Sequence, residues 1–116
     1  MEKLSVFIEL LKEKPLSIEF TQTMEVIDEN YHFTPTSFKN GEMFNNENEN
    51  NGSCKIFAFA NLHKLNKEET LACFGKYYTV EVLQKPVGSG HQNIRNFMRF
   101  GWEKISFTNE FPLVKK

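Results

Sequence analysis

The feature that most constrains the fold of this chain is a central apolar segment without a polar face. Its apolar residues are Ile56, Phe57, Ala58, Phe59, Ala60 and Leu62. A helix that is apolar nearly all round is buried on every side, so this segment predicts a helix running through the core. Ser53 is a suitable N-cap for it. The preceding residues, Asn45 to Asn51, include no apolar side chain and predict an exposed loop.

Two helices are predicted before this segment. Apolar residues recur at helical spacing in two sets, Leu4, Phe7, Ile8 and Leu11, then Phe20, Met24, Ile27 and Tyr31. The first set predicts a helix over roughly residues 3–13, and the second a helix ending near Asn30. Pro15 separates the two helices because proline cannot continue a helical hydrogen-bond pattern.

Two capping-box spacings predict where later helices begin. Asn66 with Glu69 opens a fourth helix that ends or kinks at Gly75, and Ser89 with Gln92 opens the last helix. The inner face of that last helix is formed by Ile94, Phe97, Met98 and Gly101.

The hydrophobic period changes after the second helix. Asn40-Gly41 is the dipeptide that most readily takes a type I′ turn, and the segments on either side of it predict a β-hairpin. Ile105 and Phe107 alternate with polar residues and predict a third strand. We therefore predict an α+β fold: a mainly helical single domain over residues 1–116 with a small antiparallel β-sheet made of the hairpin and the C-terminal strand.

Charge and cysteine content exclude several classes of function. Fourteen basic and fifteen acidic residues leave a net charge of -1, without the positive excess that nucleic-acid binding needs. Two cysteines and three histidines show neither a disulfide framework nor a metal-ligand spacing, so we expect a cytoplasmic protein without metal or cofactor. Glu9 interrupts the apolar N-terminal run, and no stretch reaches the roughly eighteen apolar residues of a membrane span. We expect neither a nucleic-acid nor a membrane partner.

Cys54 is a candidate nucleophile. It lies in the first turn of the predicted central helix, where free backbone N–H groups and the helix dipole lower the pKa of a thiol. His91 follows a glycine and is the candidate base, with Asn93 as an orienting amide. The alternatives are a cysteine that packs at the start of a core helix and a solvated histidine.

Ser89, Arg95 and Arg99 are candidate ligand-binding residues. The Gly88-Ser89-Gly90 loop leads into a helix that carries both arginines of the chain. Exposed N–H groups at a helix start and guanidinium groups together can bind an anion. The alternative is an ordinary solvated face with an ion pair.

Several ungapped stretches carry a resemblance to a known family. They are residues 27–31 with 33–36, 38–41, 51–60 (NGSCKIFAFA), 69–75 with 77–78, and 91–98 (HQNIRNFM) with 101–102. In these stretches, between Phe20 and Phe107, the chain resembles the HopJ family of bacterial proteins, named after a type III secretion effector. The family name implies delivery into a host cell, and the resemblance implies no catalytic residues.

Two positions depart from that family's usual pattern. Asn48 replaces a loop glycine, and because asparagine tolerates the left-handed conformation, the loop need not change. Thr79 replaces an arginine after the paired tyrosines.

Three functions fit the sequence. The first is a HopJ effector-like protein that binds an unknown protein or small-molecule partner. The second is a cysteine-dependent hydrolase or transferase that uses Cys54 with His91 and Asn93. The third is a cytoplasmic anion-binding protein built around Arg95 and Arg99.

Overall fold

Residues 2–116, which the computed structural model describes, form six α-helices and five short strands. The helices are α1 (Glu2–Glu13), α2 (Phe20–Asn30), α3 (Asn51–Leu62), α4 (Lys67–Ala72), α5 (Lys76–Thr79) and α6 (Gln92–Phe100). The strands are β1 (Tyr31–Phe33), β2 (Phe38–Asn40), β3 (Met43–Asn45), β4 (Ile105–Phe107) and β5 (Leu113–Lys115). The predicted α+β class is confirmed. Met1, the first residue of the predicted domain, lies outside the described residues.

Helix α3 is the centre of the core, as its apolar composition predicts. All residues from Ile56 to Ala60 are buried, so this part of α3 is covered on every side, whereas Leu62 at the end of the helix is exposed, contrary to the prediction. The ring of Phe57 is fully buried, with centroids 5.0 Å from Phe97, 5.7 Å from Phe74 and 6.1 Å from Phe38. Aromatic side chains from three other parts of the chain therefore meet on this one residue.

The predicted hairpin and C-terminal strand form one antiparallel sheet, with strand order β3-β2-β4. The turn differs from the prediction by one residue. Asn40 pairs with Met43 as a strand residue, and Gly41, at φ 64°, occupies the first position of the turn. A Cβ at Gly41 would clash with the ring of Phe100, which is why glycine is needed there.

A second sheet was absent from the sequence-based prediction. Strand β1 follows α2 directly and pairs antiparallel with β5, so that Tyr31 is opposite Lys115 and Phe33 is opposite Leu113. The helical spacing predicts Tyr31 on the face of the second helix, but the structure places it in this strand. The pairing joins segments about eighty residues apart, which local periodicity cannot reveal.

Two helices begin at positions other than those predicted. Helix α3 begins at Asn51, so Ser53 is inside it, and the N-cap residue is Asn50 at φ 54°. Helix α6 begins at Gln92 after His91 at φ 56°, which replaces the predicted cap at Ser89. By contrast, the capping box of Asn66 and Glu69 at the start of α4 is confirmed.

The Asn48 substitution is accommodated as predicted, because this residue adopts the left-handed conformation at φ 69°.

None of the helices within residues 2–116 combines the length and the apolarity that crossing a membrane requires.

Candidate functional site

The N-terminal ends of α2, α3 and α6 meet around an open cleft of about 420 Å³. We call it the α3–α6 cleft. Its apolar lining consists of Phe20, Met43, Phe74, Tyr77 and Ile94, and its polar lining of Asn50, Ser53, His91, Gln92 and Asn93, with Gly52 between them. This size and this mixture of apolar walls with a few polar groups are typical of small-molecule sites.

Aromatic rings form one wall of the cleft. Tyr77 packs edge-on against Phe20, with ring centroids 4.9 Å apart, and its other neighbour is His91 at 5.1 Å. Two glycines let the start of α2 approach so closely. A Cβ at Gly75 would lie 2.7 Å from the backbone nitrogen of Phe20, and one at Gly52 would lie 3.0 Å from its ring. The aromatic wall thus depends on glycine at both positions.

Buried asparagines form the floor beside the cleft. The side-chain amides of Asn45 and Asn93 are joined by two hydrogen bonds. Nδ2 of Asn45 donates to Oδ1 of Asn93 at 3.1 Å, and Nδ2 of Asn93 donates to Oδ1 of Asn45 at 2.9 Å. Nδ2 of Asn40 donates to the side-chain oxygen of Asn93 at 3.0 Å and to its backbone oxygen at 2.7 Å. Asn50 extends the network by donating to Oδ1 of Asn45 at 2.7 Å. These bonds tie β2, β3 and the α3 start to α6.

The sequence-based interpretation missed two members of this network. The sequence predicts Asn45 in the exposed loop, but Asn45 is fully buried, and so is Asn40. Among the described residues, Oδ1 of Asn40 has no hydrogen-bond partner. One signal is present in the sequence: Asn40 is two residues after Phe38 in β2, and Asn45 is opposite Phe38 in β3, so both lie on the same side of the hairpin as this apolar residue.

His91 lines the cleft at the residue that precedes α6. Its Nε2 atom lies 2.7 Å from Oε1 of Glu81, which holds the ring beside Tyr77 and leaves Nδ1 for another partner. Asn93 also lines the cleft. The structure therefore brings the predicted base and the predicted orienting amide to one place.

Cys54 is placed differently from these two residues. Its side chain is fully buried, its Sγ lies 3.9 Å from the carbonyl oxygen of Thr36, and it is not part of the cleft lining. Burial raises the pKa of the Cys54 thiol from 9.0 to about 11, so the predicted lowering of this pKa is wrong. The preceding residue, Ser53, lines the cleft instead. The nucleophilic role of Cys54 stays a prediction.

The alkylation rate of Cys54 tests that role. Because the pKa of its thiol is raised to about 11, only about one thiol in ten thousand is a thiolate at pH 7. We expect both Cys54 and Cys73 to react with iodoacetamide far more slowly in the native protein than in urea, and the native rate to rise as the pH approaches 11. Mass spectrometry of peptides assigns the modified residue. Rapid and selective alkylation of Cys54 at neutral pH would support the nucleophile.

Arg95 and Arg99 line a second open cleft, of about 430 Å³, whose lining also includes Gly88 of the loop that precedes α6. Arg95 donates from Nε to the carbonyl oxygen of Gly90 at 2.6 Å and from Nη2 to that of Glu81 at 3.4 Å. The guanidinium group of Arg99 lies 5.1 Å from the ring centroid of Phe100. Arg95 therefore fastens the loop, and an anion site at these arginines stays a prediction.

Ser89, the third candidate ligand-binding residue, is bonded to the start of α6 through its backbone. Its carbonyl oxygen accepts a hydrogen bond from the side-chain amide of Gln92. Within residues 2–116, no three His, Cys, Asp or Glu side chains come together as metal ligands.

The fold and the cleft describe a small α+β protein whose polar groups converge at helix starts. The sequence model described as HopJ type III effector protein matches residues 4–113, and the chain belongs to the HopJ family. A solved structure described as the crystal structure of unknown function protein VPA0580 is similar to it, with a TM-score of 0.94 and 54% identity, covering 97% of this chain and 92% of that one. No protein with a curated description matches the chain.

Proposed function

We propose that this HopJ-family protein binds a small ligand in the α3–α6 cleft. Family membership supports a HopJ-like effector-type protein, and binding is the molecular activity that we add to it. The observation that carries the proposal is the convergence on one cleft of Ser53, from the start of α3, with His91 and Asn93, from the start of α6 about forty residues later in the chain. Scattered polar groups that meet in an apolar cleft are the usual signature of a ligand site.

The cleft is supported by neighbouring structure on two sides. The buried asparagine network holds the start of α6, because Asn93 is bonded to both strands of the hairpin. Arg95 and the bond between Glu81 and His91 hold the loop that precedes α6. A site whose groups are held in place before binding loses less conformational entropy when the ligand arrives.

Cysteine chemistry is not part of this proposal, because the Cys54 thiol is buried outside the cleft. Binding at Arg95 and Arg99 is a separate proposal with its own location, the second cleft. Ligand mapping distinguishes the two places.

A fragment screen followed by amide NMR tests the proposal. We expect fragments that bind to shift the amide signals of Gly52, Ser53, Gln92 and Asn93. Ser53→Leu, which places a larger apolar side chain in the cleft, should weaken their binding about tenfold or more. Ser5→Leu is the matched control, because Ser5 is an exposed residue on α1 and is not part of the cleft lining.

Fragments that shift only residues around Arg95 and Arg99 would contradict the proposal. So would binding that is equally strong in the Ser53→Leu and Ser5→Leu variants.

A further inference from the structure

Unpaired backbone donors converge on the α3–α6 cleft from two helices. In α3 the first intrahelical hydrogen bond is donated by the nitrogen of Cys54 to the oxygen of Asn50, at 3.0 Å. The N–H groups of Gly52 and Ser53 therefore have no acceptor inside the helix, and within residues 2–116 no side chain caps this helix start. Both residues line the cleft.

The start of α6 has the same arrangement. The nitrogens of Ile94 and Arg95 both donate to the carbonyl oxygen of His91, at 3.0 and 3.1 Å. This leaves the N–H groups of Gln92 and Asn93 without an intrahelical acceptor, and no side chain in the described part of the chain caps this helix start either. The positive ends of two helix dipoles thus meet at one place.

The side-chain amide of Asn93 has a second N–H group that could donate to a ligand in the cleft. Asn93 lines the cleft and is only 6% exposed. Its Oδ1 atom accepts from Asn40 and Asn45, whereas its Nδ2 atom donates a single hydrogen bond, to Oδ1 of Asn45. The second N–H of this amide has no acceptor among the described residues. An oxygen atom of a ligand in the cleft would supply this acceptor.

The charges and the apolar side chains around the cleft limit the classes of ligand that it can bind. Among the described residues, no Asp, Glu, Lys or Arg side chain is part of the lining, so the lining itself carries no carboxylate that would repel an anion. The carboxylate of Glu81 contacts the cleft residue His91, with its Oε1 atom 2.7 Å from Nε2 of the imidazole ring. The rings of Phe20 and Tyr77 offer an apolar surface beside the donors.

We infer that the α3–α6 cleft binds a small organic acid, with its carboxylate at the starts of α3 and α6 and its apolar body against Phe20 and Tyr77. This inference rests on the proposed binding function and names the class of ligand. Helix N-termini bind carboxylates through backbone N–H groups and the helix dipole, without a cationic side chain. The hydroxyl of Ser53 and the free amide N–H of Asn93 add donors at the same end.

An NMR titration with benzoate, benzamide and inorganic phosphate tests the class of ligand. Benzoate should shift the amides of Gly52, Ser53, Gln92 and Asn93 in a saturable manner. Benzamide has the same ring without the charge, and phosphate has charge without the ring. We expect each to bind about tenfold more weakly than benzoate.

Ser53→Asp provides the decisive variant. A carboxylate in the first turn stabilises a helix, so the variant is expected to fold, but it places a negative charge where the ligand's carboxylate would lie. We expect it to weaken benzoate binding about tenfold or more and to leave benzamide binding within about twofold. Ser5→Asp, near the start of α1, is the matched control and should change neither affinity.

The outcomes separate the inference from the function on which it rests. If benzamide binds the cleft as tightly as benzoate, the proposed ligand-binding function is supported, but the inference that the ligand is an organic acid is wrong. Equal binding of phosphate and benzoate would show that the aromatic wall contributes nothing, which also overturns an organic acid. If none of the three probes shifts the cleft amides, while the fragment screen still maps ligands to the cleft, the inference alone fails.

Discussion

Replacement of Phe57 by alanine is expected to lower the free energy of unfolding by about 3–5 kcal/mol. Phe57 is fully buried at the centre of α3 and touches rings from β2, from α6 and from the segment after α4. Removal of its ring leaves a cavity among Phe38, Phe74 and Phe97 that these large rings can fill only in part. The loss is a large share of the stability of a domain of this size.

Urea denaturation followed by circular dichroism measures this loss. Phe57→Leu, which keeps most of the volume, should cost less than about 1.5 kcal/mol and remains measurable if the alanine variant does not fold. Phe111→Ala is the matched surface control, since Phe111 is 67% exposed and should change stability by no more than about 0.5 kcal/mol. A loss below about 1 kcal/mol for Phe57→Ala would show that α3 is not the centre of the core.

Replacement of Asn93 by alanine is expected to lower the free energy of unfolding by about 2–4 kcal/mol. The change removes both hydrogen bonds between the amides of Asn93 and Asn45 and the one from Asn40 to Oδ1 of Asn93. Asn40 and Asn45 are fully buried, so their amide groups lose partners that water cannot easily replace. The alanine variant should also lose binding in the α3–α6 cleft, because the amide holds the start of α6 against the hairpin.

Asn96→Ala is the control for this prediction. Asn96 is also on α6, but its side chain bonds only to the carbonyl oxygen of Gln92 one turn earlier and is partly exposed. Its replacement should cost less than about 1 kcal/mol. Equal losses for the two variants, measured in the same urea titrations, would mean that the buried network adds nothing beyond ordinary helix hydrogen bonds.

The hairpin shows what local sequence patterns can and cannot predict. Asn40-Gly41 locates the turn to within one residue, because a residue with positive φ is needed between two short strands. The exact register depends on Asn93, whose oxygens accept the side-chain amide of Asn40 from fifty-three residues away. That contact keeps Asn40 in the strand and leaves Gly41 to make the turn. The pairing of β1 with β5 was missed for the same reason, since it joins distant three-residue segments.

The candidate site was predicted in part. His91 and Asn93 were singled out from the glycine-flanked helix start, and both line the α3–α6 cleft. Cys54 was singled out because the central helix was predicted to begin at its neighbour. In the structure α3 begins at Asn51, and Cys54 lies on the same helix face as Phe57 and Ala58, which are buried. The spacing of three and four residues to those apolar positions was the available sign that its thiol faces the core.

Ser53 could not be recognised as a cleft residue without the tertiary structure. Successive residues of a helix point about 100° apart, so Ser53 and Cys54 face different surroundings once the helix is placed. The placement comes from Gly52 and Gly75, which let the start of α2 close one side of the cleft. Neither glycine is part of a sequence motif from which this close packing against α2 could be predicted.

A co-crystal structure with benzoate tests the central claim most directly, namely that the α3–α6 cleft is the ligand site of this HopJ-family protein. We predict that the carboxylate lies within hydrogen-bond distance of the backbone nitrogens at the starts of α3 and α6, with the ring against Tyr77. We also predict that crystals of the Ser53→Asp variant, grown with benzoate in the same way, show an empty cleft. Benzoate bound at Arg95 and Arg99 instead, with the α3–α6 cleft empty in the unmodified protein, would contradict the account.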